Sequence, residues 1–360
     1  MTPDEPTAEQ TREADNTGVM AVAEAHRFDE AALAAWMANH VEGYAGPVEV
    51  RQFKGGQSNP TYQLVTPGRN YVLRRKPPGK LLPSAHAVDR EFKVISALYP
   101  TGFPVPRPHG LCEDEAIIGT AFYVMDMVEG RILWDQTLPA YTPPERHALH
   151  MATIRTLATL HNTDYRAVGL EEFGRPGNYM LRQISRWTKQ YKASETVHLD
   201  SMEKLIAWLP ESALEDEETT IVHADYRMDN MVMHPTEPRV IAVLDWELAT
   251  LGNPLADFTY VLMQWLNGTI SALPDMKAHG IPTMEECIAE YCAITGRDGI
   301  ANLDWFFAYN AFRLAGICQG IVGRVRDGTA RSPQATAMGE RVPLLADFAW
   351  TRAKMAGAKG

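Results

Sequence analysis

The sequence predicts an α+β fold in two lobes, a small β-rich N-terminal lobe and a larger helical C-terminal lobe carrying a β-hairpin. Three observations predict it. Short runs of β-branched and aromatic residues, bounded by turn residues, crowd the stretch before Glu129. Apolar residues at helical spacing dominate from Pro144 onward. Two short apolar runs, 231–233 and 240–244, flank the breaker-rich segment His234-Pro-Thr-Glu-Pro-Arg239.

Residues 1–24 are polar, rich in Glu and Thr, and predicted to form a disordered tail. The N-terminal lobe is assigned to 25–128. An amphipathic helix over 28–40 turns Leu33 and Trp36 to one face. Strands follow over 48–54 and 61–65 around Gly55-Gly56, and a third over 70–75 ends before Pro77-Pro-Gly79. A helix over 87–99 carries Glu91, and a strand over 121–128 leads into the C-terminal lobe, 129–360. There the periodicity gives helices over 146–161, 179–191, 201–209, 256–266, 284–295 and 303–326.

The hairpin organises the chemistry. If its strands pair antiparallel, the start of the first lies beside the end of the second. Asn230 then meets Asp245, with Asp225 just before them in Ile221-Val-His-Ala-Asp-Tyr-Arg-Met-Asp-Asn230. His223, Asp225, Asn230 and Asp245 have the spacing of kinase-type phosphoryl-transfer sites, where one group orients a hydroxyl and two oxygen donors hold Mg²⁺. Asn230 and Asp245 supply such hard oxygen ligands. The glycines of Gly55-Gly-Gln-Ser-Asn59 would let backbone N–H groups approach a phosphate, although a simple hairpin turn explains them equally well.

These motifs together resemble the aminoglycoside phosphotransferase and choline kinase-like superfamily, a relative of the protein kinases. The nearest branch comprises the kinase-like domains fused to acyl-CoA dehydrogenases. The resemblance runs from about residue 50 to 325, through Gly55-Gly-Gln-Ser-Asn59, Tyr71-Val-Leu-Arg74, Arg90-Glu91, Val105-Pro106, Tyr123-Val-Met-Asp-Met-Val-Glu-Gly130, His223-Ala-Asp225, Leu244-Asp-Trp-Glu247 and Leu251-Gly-Asn-Pro-Leu-Ala-Asp257. It implies a protein-kinase-like fold and an ATP- and Mg²⁺-dependent transfer of phosphate to a small-molecule hydroxyl, with GTP an open alternative donor. It implies that Asp225 aligns the acceptor hydroxyl, while Gly55, Gly56, Ser58 and Asn59 cradle phosphate. Arg74, paired with Glu91, would grip the α- and β-phosphates, with Arg75 and Lys76 as competitors. Backbone groups of Asp126 and Val128 would face the adenine. The usual glycine after His223 is Ala224 here, tolerable if the site needs no positive φ. Asp257 is expected to be a structural hydrogen-bonder. Glu247 could reach a second metal or fix a loop, and it is also a candidate for contact with the substrate. Arg313 is a candidate for an anionic substrate, with structural pairing the alternative. The aromatic-bearing loop Phe173-Gly-Arg-Pro-Gly-Asn-Tyr179 could close over a ligand.

Composition fits this class. The chain has 360 residues, 45% hydrophobic and 22% charged, enough for two cores. Its net charge of −11 argues against nucleic acid as partner. No apolar run spans a bilayer, the four cysteines form no metal or disulfide pattern, and the expected compartment is the cytoplasm. The anticipated acceptor is a hydroxy acid or hydroxyacyl-CoA. Alternatives are an aminoglycoside, which would draw on Glu285, Glu286 and Glu290, and a catalytically silent nucleotide-binding module. A metal-dependent phosphohydrolase using His223, Asp225 and Asp245 is the remaining reading.

Overall fold

In the computed structural model, which describes residues 17–54, 59–78, 87–213, 218–268, 270–328 and 335–359, the N-terminal lobe is a six-stranded antiparallel sheet. Its strands are β1 (Val19–Met20), β2 (Glu49–Phe53), β3 (Thr61–Val65), β4 (Asn70–Arg75), β5 (Pro108–Cys112) and β6 (Phe122–Asp126), in the order β1-β2-β3-β4-β6-β5. Strand alternation sends the two faces to different cores. Tyr62, Leu64, Tyr71, Leu73, Phe122 and Val124 pack under α1 (Glu30–His40) through Leu33 and Trp36. Val72, Tyr123 and Met125 face the other way, towards α2 (Val88–Leu98) and the second lobe. Because Arg74 shares the parity of Val72, it lies on that inner face. Arg75 lies on the outer face, its Nε donating to Thr120 Oγ1 at 2.9 Å and its guanidinium over the Phe28 ring. The pleat takes Arg75 off the cleft face, while Lys76 lies 3.7 Å from Asp89 Oδ1.

The tail reading needs correction for the part that is described. Val19–Met20 pairs antiparallel with β2, and Ala23 N–H donates to Gln52 Oε1 at 3.1 Å. The exposed edge of β2 accepts even a short polar segment, since backbone pairing needs no apolar signal. Residues 1–16 lie outside the described residues, as do Gly55, Gly56 and Ser58.

After β6 a short helix-poor segment leads into the C-terminal lobe. Its helices are α4 (Pro143–His161), α5 (Tyr179–Ser194), α6 (Asp200–Glu211), α7 (Pro254–Asn267), α8 (Met284–Thr295), α9 (Leu303–Arg326) and α10 (Ala335–Met355); the single-turn α3 (Glu115–Ile118) precedes β6. The almost wholly buried α9 is the centre, packed by α5, α7 and α10. Two small antiparallel pairs sit against this bundle: β7 (Thr220–Val222) with β10 (Thr250–Gly252), and β8 (Met231–Met233) with β9 (Val240–Val243).

Sequence periodicity finds the long helices within a residue or a few at each end but passes over β5, which opens on Pro108 and contains Gly110. It also passes over α10, where Gly339 and Pro343 interrupt the pattern.

The chain passes from one lobe to the other at a tight packing point. Arg131 and Met233 exchange backbone hydrogen bonds of 2.9 and 2.8 Å, and a Cβ on Gly130 would overlap the Met233 carbonyl and the Val232 side chain. Gly130→Ala should therefore cost about 1–3 kcal/mol of stability in urea unfolding, as overpacking does at rigid sites.

Candidate active site

The hairpin performs the juxtaposition expected of it. Met231 pairs with Val243, and Leu244 N–H donates to the Asn230 carbonyl at 2.8 Å, so Asn230 and Asp245 meet at one end. Asn230 Nδ2 donates to the Asp225 carbonyl at 3.0 Å and to Asp225 Oδ2 at 3.2 Å. That orients the Asn230 amide with its nitrogen spent on Asp225, leaving its carbonyl oxygen as the donor for a cation. Tyr260, on α7, places its hydroxyl 3.5 Å from the other carboxylate oxygen of Asp225. Beside it, Arg227 and Asp229 form an ion pair.

The loop is held from behind. Asp257, at the start of α7 and 2% exposed, accepts from His223 N–H at 2.6 Å and Ala224 N–H at 2.9 Å. His223 Nε2–H donates to the Leu244 carbonyl at 2.9 Å, and its Nδ1 accepts from Asp225 N–H at 3.3 Å, which fixes the tautomer. Asp257 therefore has the structural role expected of it, and the His223 imidazole bonds to the loop backbone. Burial would raise the Asp257 carboxyl, but the neighbouring His161 and the bonds from the His223 backbone more than offset it and hold the group below its ordinary range.

Ala224 sits at φ +65°, and Asp245 at φ +62°. The site does require positive φ after the histidine, so the alanine is a strained choice where a glycine would be free. Arg313 donates to the Ala224 carbonyl, and its guanidinium lies 5.1 Å from the Tyr260 ring centroid and 5.8 Å from that of Trp187. Arg313 is buried, and the structure ties it to the back of the loop instead of leaving it free for a substrate anion.

Arg74 crosses between the lobes. Its Nη2 donates to Asp245 Oδ1 at 2.9 Å, and its Nε lies 3.1 Å from Glu91 Oε2. Glu91 is 1% exposed and also accepts from Tyr123 Oη at 3.0 Å and Asn59 Nδ2 at 2.8 Å. Burial disfavours the Arg74 charge, but Glu91, Tyr123 and Asp245 hold it above the usual guanidinium range, so the cation persists. The expected Arg74–Glu91 pair is present. Asn59 differs from expectation: it is fully buried behind Arg74, bonded to Glu91 and to Glu247 Oε2 at 3.4 Å, and not turned to a phosphate. Glu247 joins this network through that bond.

A cleft of about 650 Å³ opens between the lobes, lined by Arg74, Asn230, Asp245, Val72, Met125 to Val128 and Val232. The Asp126 carboxylate turns away to His109 at 2.7 Å and Arg69 at 3.3 Å, leaving backbone at the cleft wall. The 173–179 loop is anchored at both ends. Phe173 and Tyr179 are buried, and a Cβ on Gly174 would lie 2.6 Å from Leu251 N. Two residues sequence reasoning missed are Tyr260 and the interlobe role of Arg90. Neither had a signal, because a tyrosine in an apolar helix and an arginine on a helix face are both ordinary.

A family model described as the phosphotransferase enzyme family matches residues 49–290. The chain belongs to the phosphotransferase enzyme family. It is 44% identical over 318 residues to acyl-CoA dehydrogenase family member 10 of Mus musculus, covering 87% of this chain and 30% of that one. To acyl-CoA dehydrogenase family member 11 of Homo sapiens it is 42% identical over 332 residues, covering 89% and 43%. The chain thus spans less than half the length of these relatives. A Ralstonia eutropha JMP134 crystal structure, provisionally described as an aminoglycoside phosphotransferase, superposes with TM-score 0.85 at 49% identity over 93% of this chain and all of that one. Spectinomycin phosphotransferase, solved with ADP and spectinomycin, shares the kinase-like fold at TM-score 0.59 and 11% identity, covering 91% and 99%.

Two outcomes follow from the loop's support. Ala224→Val should lose about 2 kcal/mol by the added left-handed strain, while Ala224→Gly should stay within about 1 kcal/mol of wild type in chemical unfolding. For Asp257 the folded-state pKa is depressed, so its contribution is present above the unfolded value of about 3.9 and lost as pH falls through the folded value. The stability gap between wild type and Asp257→Asn should therefore be widest at neutral pH and narrow below about pH 4 in pH-stepped urea unfolding.

Proposed function

We propose that this phosphotransferase moves the γ-phosphate of ATP, with Mg²⁺, to the hydroxyl of a small molecule. One observation carries the reading: Asp225, Asn230 and Asp245 converge at one end of the hairpin, opposite a buried cationic Arg74, and Arg74, Asn230 and Asp245 line the wall of one cleft. The donor set suits Mg²⁺. It offers one carboxylate and one amide oxygen, hard ligands that leave room for water and phosphate oxygens. Asn230 and Asp245 would hold the ion, which supplies charge neutralisation for the phosphates. Arg74 exchanges part of its contact with Asp245 for phosphate oxygens, which its forked guanidinium grips in pairs. Asp126 and Val128 present backbone to the adenine.

Asp225 accepts a hydrogen bond from the acceptor hydroxyl and aligns its oxygen on the γ-phosphorus. Asn230 and Tyr260, each on one carboxylate oxygen, hold that orientation. Phosphoryl transfer gains most from such positioning and from charge stabilisation. The hydroxyl proton passes to Asp225 as the O–P bond forms and ADP leaves.

For the acceptor, we favour a hydroxy acid or hydroxyacyl-CoA. The names of the longer relatives point to acyl-CoA chemistry. Of the carboxylates that would recruit a polycationic aminoglycoside, Glu286 caps α8 and Glu290 pairs with Arg155. A phosphohydrolase metal set is not supported, since the His223 imidazole is spent on the loop backbone. Among the described residues, the acidic and histidine group close enough to share an ion is Glu195, His198 and Glu203, where Lys192 already bridges the two glutamates.

The reading is tested by paired variants. Asp225→Asn should lower phosphate transfer to an accepted substrate at least about a hundredfold while Mg²⁺-nucleotide binding is kept. Asp245→Ala should remove the Mg²⁺-dependent part of nucleotide affinity in calorimetry. Near-normal turnover by Asp225→Asn would refute the assignment of roles.

A further inference from the structure

Glu91 and Arg90 are consecutive on α2, about 100° apart around the helix, and they reach into different lobes. Glu91 turns to the sheet and holds Arg74. Arg90 turns to the C-terminal lobe, where its Nη2 donates to the Phe173 carbonyl at 2.7 Å and the Ala249 carbonyl at 3.2 Å. Its guanidinium carbon also sits 4.3 Å from the centroid of the Phe173 ring, which is buried. Ala249 closes the turn begun by Asp245, through its N–H to the Trp246 carbonyl at 3.0 Å. One side chain thus ties α2 to the turn that carries a proposed Mg²⁺ ligand and to the loop before α5.

We propose that Arg90 is a positioning residue that locks α2 against the C-terminal lobe, so that Glu91, Arg74 and Asp245 are assembled before nucleotide arrives. The proposal rests on the nucleotide-binding reading above. It gives the site a fixed geometry in place of a swinging helix. The chemistry matches the job: Nη2 serves both carbonyls while the planar guanidinium stacks on the Phe173 ring, a flat face that an ammonium lacks. The two carbonyls come from separate segments, so Arg90 joins three pieces of chain with one charged group. The Gly174 position reinforces the lock. Without a side chain there, Phe173 can seat under Arg90 while Gly174 presses on Thr250 and Leu251.

Hydrogen–deuterium exchange of the intact chain, combined with Mg²⁺-ATP calorimetry, tests it on Arg90→Ala and Arg90→Lys. In Arg90→Ala, amides of α2 and of the 245–250 turn should exchange faster together, and the Mg²⁺-ATP dissociation constant should rise about tenfold, the equivalent of one charge-assisted hydrogen bond. Arg90→Lys should show both effects in weaker form, and it decides the matter if the alanine variant does not fold. Wild-type exchange in α2 with unchanged nucleotide affinity would overturn the proposal. So would faster exchange confined to 170–177, which would make Arg90 a loop anchor only. Failure of the wild type to bind nucleotide would sink the functional reading instead, and the exchange data alone would then decide the lock.

Discussion

The arrangement depends on one buried guanidinium. Arg74 stands between Glu91 of the N-terminal lobe and Asp245 of the C-terminal lobe, on the wall of the cleft. Burying such charges is costly, and a buried pair is seldom a net source of stability. What it supplies here is specificity of arrangement. With Tyr123 and Asn59 satisfying Glu91, the ion pair has one good geometry, and that geometry fixes how the sheet faces the hairpin. Asp245 takes its side of the bargain in a left-handed conformation, which turns its carboxylate into the cleft.

The loop that carries Asp225 is supported by a second polar network that shares no residue with the first. Asp257 receives two backbone N–H groups, His161 stands 3.7 Å from the same carboxylate, and Arg313 donates to the Ala224 carbonyl from α9. A backbone held at φ +65° by an alanine persists because these bonds over-determine it. Strain at this point places Asp225 next to Asn230. The structure spends buried polar groups where a purely apolar core would have let the loop relax.

How much of this was legible depends on whether the information was local. The strands at 61–65 and 70–75 and the hairpin could be read because alternation and breakers are sequence properties. The meeting of Asn230 with Asp245 followed from pairing alone. That Arg74 and not Arg75 faces the cleft follows from which face of β4 each occupies, and that required the sheet order. Asn59 could not be placed, since nothing near it in sequence announces Glu91 or Glu247. Arg313 and Arg90 were opaque for the same reason. An arginine's partner 89 or 159 residues away is set by tertiary packing, not by spacing.

The central claim is that the interlobe cleft is built for a Mg²⁺-nucleotide. The most direct measurement is calorimetric titration of ATP into the purified chain in the presence of Mg²⁺ and then of a chelator. The account predicts binding at one site that weakens sharply when Mg²⁺ is removed. Absence of ATP binding under both conditions, or binding indifferent to Mg²⁺, would contradict it.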